Sequence, residues 1–114
     1  MSDSMPLRPQ DFLARLPLPA SDRWPDGVFD IEAFEHGGLT LELFAPRGRD
    51  RQSSHSQDEL YIVIAGNAVL DIDGEEHPCS VGDALFVAAR IPHQFMRISD
   101  DFATWAIFWG ARKP

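Results

Sequence analysis

Residues 53–66 read SSHSQDELYIVIAG, and the interpretation of the whole chain turns on them. Glu59 to Ala65 is apolar on both faces, with Tyr61 and Val63 against Leu60, Ile62 and Ile64. A strand lying inside a two-layered body has this pattern. His55 precedes Glu59 by four positions at the entry to that strand. If the alternation runs back from it, Ser53, His55, Gln57, Glu59 and Tyr61 share one face. An imidazole and a carboxylate aimed into an apolar interior are costly unless paired or bound to a cation.

Short runs separated by turn residues continue on both sides. Val28 to Glu35 ends at Gly37-Gly38, and Leu39, Leu41 and Leu43 then alternate with Thr40, Glu42 and Phe44. Ala68, Leu70 and Ile72 lead to Asp73-Gly74, a strong two-residue hairpin signal. Val81-Gly82-Asp83 turns before Ala84 to Val87, and Gln94 to Ile98 and Ala103 to Trp109 complete the set. The pattern predicts about eight or nine strands and almost no helix, hence an all-β sandwich or barrel over residues 28–114. Residues 1–27 carry five prolines and form an N-terminal arm, with a short helix between Pro9 and Arg15 turning Phe12, Leu13 and Leu16 to the body.

Composition narrows the function classes. Ten basic against 18 acidic residues give a net charge of −8, which repels phosphate backbones and anionic lipid. Nucleic acid and membrane are therefore not expected as partners, whereas a cation or a small molecule is. No run approaches the roughly 20 apolar residues of a spanning helix. The N-terminus has no basic segment followed by an apolar run, and the single Cys79 excludes an internal disulfide. The expectation is a cytoplasmic protein. A domain this small often gains stability by dimerising, so a homodimer is expected.

Residues 53–66 resemble the first motif of the cupins, His-x-His-x(3,4)-Glu-x(6)-Gly, through His55, Glu59 and Gly66. Residues 82–93 resemble the second, Gly-x(5)-Pro-x-Gly-x(2)-His, through Gly82 and His93. The resemblance covers residues 28–110 and implies a double-stranded β-helix, or jelly-roll barrel. It also implies a divalent metal (iron, manganese, nickel, cobalt or zinc) held by His55, Glu59 and His93. Two imidazoles and a carboxylate leave positions open for water, dioxygen or substrate. The chain departs from the pattern at Ser53, where the motif has its first histidine; Gln57 or water is then a candidate for the vacated ligand position, with Ser53 and Gln57 as pocket residues otherwise, or the metal is held by three protein ligands. It departs also at Ala88 and Arg90, where the motif has proline and glycine, and at Arg97, where an asparagine is usual. An arginine disfavours positive φ, so the turn at Arg90 is expected to change shape.

Tyr61 and Arg97 are candidates for orienting a substrate, Arg97 if it shares a strand face with His93 and Phe95, with an ion pair to an acidic neighbour as its alternative role. Glu42 either faces the interior as a base or lies on a solvated face. His36 and His77 are expected at surface turns, Cys79 as a small buried filler, and Trp105, Ile107 and Trp109 as core and dimer contact. Three functions follow: a metal-dependent enzyme acting on a small organic molecule (oxygenase-like, or isomerase- or lyase-like), a non-catalytic small-molecule binding or sensing module, or a structural dimer with a vestigial pocket.

Overall fold

The computed structural model describes residues 6–111. Residues 1–5 of the expected arm and 112–114 of the expected barrel lie outside the described residues. One short helix, α1 (Pro9–Leu13), precedes eight strands. These are β1 (Asp30–His36), β2 (Leu39–Phe44), β3 (Asp58–Ala65), β4 (Asn67–Ile72), β5 (Glu75–Ser80), β6 (Ala84–Val87), β7 (His93–Met96) and β8 (Ala103–Trp109). They make a five-stranded sheet, β1-β2-β8-β3-β6, and a three-stranded sheet, β5-β4-β7, with antiparallel pairing throughout. The chain is all-β in the jelly-roll manner.

Between the sheets Phe44, Tyr61, Val63, Leu70, Phe95 and Phe102 form one cluster. Each such side chain contributes roughly 1.5–3 kcal/mol through burial. Strand β3 lies between β8 and β6, and its inward residues Glu59, Tyr61 and Val63 are all buried. The arm reaches this body at two places. Phe12 of α1 meets Trp105 edge-on at 6.2 Å, and Trp24 packs on Phe44 at the same separation. Trp105, Ile107 and Trp109 point outward and are half-buried, while Ala106 and Phe108 point in.

The Asp73-Gly74 turn has the form its sequence predicts. Both residues take positive φ, and Ile72 pairs with Glu75 across the turn. Asp71 Oδ1 accepts the Gly74 N–H at 2.8 Å, which closes the turn from the strand side. Strand β2 is inverted relative to simple hydrophobic patterning. Phe44 belongs to the core and Glu42 stands opposite Ala106, so Thr40, Glu42 and Phe44 face the interior. Leu43 on the other face is nevertheless fully buried, because α1 packs against β2. Arm and inversion thus go together: without the arm the leucine face would be wet.

Gly66 shows why the turn from β3 to β4 takes glycine. Its φ is +68, and a methyl group there would collide with Ser99 Oγ and lie 2.9 Å from Phe102 Cα. Gly66→Ala is therefore expected to destabilise the domain by about 1–3 kcal/mol, from φ strain plus this close approach. Urea unfolding checks this: the midpoint falls with little change in slope. An unchanged midpoint would show that the turn relaxes freely.

Candidate metal centre

Three side chains distant in sequence meet inside the barrel. Glu59, the first inward residue of β3, is 1% exposed. His93 opens β7 opposite Ile72, and its Nδ1–H donates to the Ile91 carbonyl at 2.9 Å. That bond leaves Nε2 as the ring's metal-binding nitrogen. His55 lies in the loop before β3. Its carbonyl accepts the Arg90 N–H at 2.7 Å and its ring stands edge-on to Phe108 at 4.8 Å. One ligand atom from each of His55, Glu59 and His93 lies within 4.8 Å of the others.

The electrostatics explain why a cation suits this place. Glu59 Oε1 is 3.0 Å from His93 Nε2 and 3.9 Å from His55 Nε2, yet it is buried and no well-directed hydrogen bond reaches it. Burial pulls the His93 pKa down, but contact with Glu59, the Ile91 carbonyl and the charge of Asp50 outweigh it and hold the ring above the usual histidine value. His55 is shifted the other way, first by burial and then by His93, against the pull of Glu59 and Asp50. Two imidazole nitrogens and a carboxylate oxygen, one oxygen lacking a donor, form a set that fits a divalent ion.

The same fold recurs in known proteins. A family profile described as the cupin domain matches residues 40–109. An uncharacterised protein of Streptomyces coelicolor is 34% identical over 85 residues, which cover 73% of this chain and 80% of that protein. The chain belongs to the cupin family. Among solved structures, a cupin 2 conserved barrel domain protein from Salinispora arenicola superposes with a TM-score of 0.62. It shares 21% identity, over 72% of this chain and 75% of that one. A cupin protein from Bacteroides fragilis is 26% identical over 72% of this chain and 76% of its own, with a TM-score of 0.60.

Other candidate residues of this cupin fall elsewhere. Regular strand begins only at Asp58, so the alternation read back to Ser53 fails in the loop. Ser53 is exposed and accepts a hydrogen bond from Arg23 Nη1 at 2.8 Å. Gln57 is buried, but its Nε2 donates to the carbonyls of Gly110, at 2.9 Å, and Gly38, at 3.3 Å. It ties loops together. Arg97 takes the ion-pair role of its two expected ones: β7 ends at Met96, so Arg97 shares no strand face with His93, and its Nη1 pairs with Glu76 Oε1 at 2.9 Å on the surface, its φ being +49. The φ of Arg90 is a correction. Arg90 keeps a φ of +70 where the motif has glycine, held there by its bond to the His55 carbonyl.

Tyr61 does sit at the centre. It is fully buried, with its hydroxyl 3.1 Å from both His93 Nε2 and Gln52 Oε1. Burial first, and then the charge of Glu59, push its pKa well up, so it stays a phenol. Away from the centre, His36 is exposed and stacks with Phe34, His77 pairs with Glu75 at 3.1 Å, and buried Cys79 donates its thiol to the Ala68 carbonyl.

Two residues at this site carry no local signal in the sequence. Asp50, in the charged run Arg49-Asp50-Arg51, reads as surface loop, yet it is fully buried. Its carboxylate accepts the Phe95 N–H at 2.8 Å, the Gln52 N–H at 2.9 Å and the Gln52 side-chain amide at 2.5 Å. Those bonds pin the loop before β3 against β7. Gln52 Oε1 is thereby turned to His55 Nε2, 3.1 Å away, and to Tyr61.

Two cavities approach the centre. The larger, about 520 Å³, has His55 in its wall with Asp30, Glu32, Glu42, Gln57, Arg90 and Phe108. The smaller, about 340 Å³, reaches His93 beside Gln52, Asp71 and Gln94. Glu42 is pushed up to about 8 by burial, then by the charges of Asp30, Glu59 and Glu32.

A folded chain that holds this proton, which the unfolded chain has released above pH 4.5, loses stability as the pH climbs from there to about 8. Glu42→Gln removes that loss. Melting curves of metal-free protein should show the variant gaining on the parent across this window and levelling off above it. Parallel pH profiles would mean that Glu42 ionises normally.

Proposed function

We propose that this cupin is a metal-dependent enzyme that moves a proton on a small, polar, uncharged or cationic organic molecule, in the manner of an isomerase or lyase. The observation that carries the reading is the meeting of His55, Glu59 and His93 around a buried carboxylate oxygen that no well-directed hydrogen bond reaches. A cavity of about 520 Å³ beside it is large enough for a small metabolite.

His55, Glu59 and His93 would hold the ion. When bound, a divalent ion in such a set supplies a Lewis acid with open positions. The chain's own residues supply the rest. Glu42 holds a proton at neutral pH and can give it up within the cavity, as a general acid or base must. Asp30 and Glu32 disfavour carboxylate and phosphate groups there, with Arg90 as the cationic member of the lining. Thr40, Ser54 and Ser56 present hydroxyl groups suited to a hydroxylated ligand. Phe108, packed on His55, gives the apolar wall against which a carbon skeleton can lie.

Oxygenase-like chemistry would need no such proton-holding acid, and for that reason takes second place. Protein purified without added metal should carry roughly one divalent ion per chain by elemental analysis. His55→Ala and His93→Ala should lose it. Adding the ion to stripped protein at about 100 times its Kd should stabilise the parent by about 2.7 kcal/mol and leave both variants unmoved. Absence of any metal, together with no thermal shift, would leave only the barrel. A loaded protein that binds ligands of the expected class but turns none of them over would favour the binding module, and turnover unchanged by Glu42→Gln would remove Glu42 from the mechanism.

A further inference from the structure

We propose that the side-chain carbonyl oxygen of Gln52 is a fourth protein ligand of the metal centre, in the role that the first motif gives to the histidine replaced here by Ser53. This rests on the metal-binding reading above. Ligand atoms held about 2.0–2.2 Å from a common ion stand roughly 3 to 3.5 Å from one another, depending on the coordination angle. Gln52 Oε1 is 3.1 Å from His55 Nε2, while Glu59 Oε1 is 3.0 Å from His93 Nε2 and 3.9 Å from His55 Nε2. The amide oxygen therefore adjoins the ligand nitrogen of His55, as the carboxylate oxygen adjoins that of His93.

Its orientation is built by the surroundings. Gln52 Nε2 donates to Asp50 Oδ2, and Asp50 is itself fixed by the backbone N–H groups of Phe95 and Gln52. The amide cannot flip without setting its NH2 against His55 and its oxygen against a carboxylate. A carbonyl oxygen has two lone pairs. One accepts the Tyr61 hydroxyl at 3.1 Å and the other the His55 Nε2–H at 3.1 Å, a proton that a metal on that nitrogen would displace, releasing the lone pair to the centre. Tyr61 spends its hydroxyl proton on Gln52 and so supports the ligand instead of competing with it. Ser53 could not serve, being exposed and bonded to Arg23. Because residues 51–55 are not strand, the period of two does not govern which of them points inward. The ligand role can pass to the neighbouring position at no cost in register.

Cobalt(II) titration of the stripped full-length chain tests this, read by competition with a chromophoric chelator and by the visible d–d absorption. Gln52→Ala should weaken cobalt binding on the order of 10- to 100-fold and change the position or intensity of the bands. Gln52→Glu keeps an oxygen donor but loses the N–H given to Asp50, and it should restore affinity to within about tenfold of the parent. Three results would overturn the proposal: parental affinity and bands in Gln52→Ala, weakened affinity with parental bands, or a Gln52→Glu protein no better than Gln52→Ala. The second would make Gln52 a positioning residue for His55. Melting of the metal-free variants separates lost binding from lost folding, and if Gln52→Ala does not fold then Gln52→Glu decides alone. A parent chain that takes up no cobalt fails the metal reading itself, whereas a parent that binds beside an indifferent Gln52→Ala fails only this inference.

Discussion

A carboxylate oxygen sealed from water, facing two imidazole nitrogens but reached by no well-directed hydrogen bond, is the constraint around which this molecule is arranged. Leaving such an atom unsatisfied costs on the order of 1–3 kcal/mol, and more when it is charged. The barrel does not relieve that cost with a backbone amide. It brings two imidazoles to Glu59, one from the loop before β3 and one from the start of β7, fixing the His93 ring by the Ile91 carbonyl and the His55 backbone by the Arg90 N–H. Stability is given up locally at a place whose donor atoms would suit a cation. The surrounding aromatic cluster, Phe95, Phe102, Phe44 and Tyr61, supplies the burial that makes the sacrifice bearable.

The two sheets contribute unequally. The five-stranded sheet carries Glu59 and the acidic side of the larger cavity, while the three-stranded sheet delivers His93. Asp50 fastens the long connection after β2 to the opposite sheet at Phe95. The position of His55 and Gln52 thus depends on a residue that never faces a ligand. Electrostatic preorganisation of this kind resides in the supporting bonds as much as in the ligand atoms.

Strands, hairpin and the three residues of the candidate centre were legible because each rests on a local rule. Asp73-Gly74 demands a tight turn, β3 alternates once it begins, and the spacing from His55 through Glu59 to Gly66 survives intact. Failures came where tertiary structure overrides the local rule. Ser53 and Gln57 were placed on a strand face that does not exist, since the backbone straightens only at Asp58. Arg97 was extended one residue beyond the end of β7. Arg90 accepts a left-handed backbone that its side chain disfavours, because the His55 carbonyl rewards it. Asp50 and Gln52 look like any solvated charged loop, and only the long-range partner at Phe95 reveals them.

The inverted strand β2 divides labour along a single stretch of backbone. Its even-numbered residues, Thr40 and Glu42, shape the chamber, and its odd-numbered ones, Leu41 and Leu43, weld the sheet to the arm. Chemistry and cohesion can therefore drift independently under mutation, each on its own side of the ribbon. A one-residue slip of β2 against β8 would couple them, turning Leu41 and Leu43 into the chamber and Glu42 under the helix.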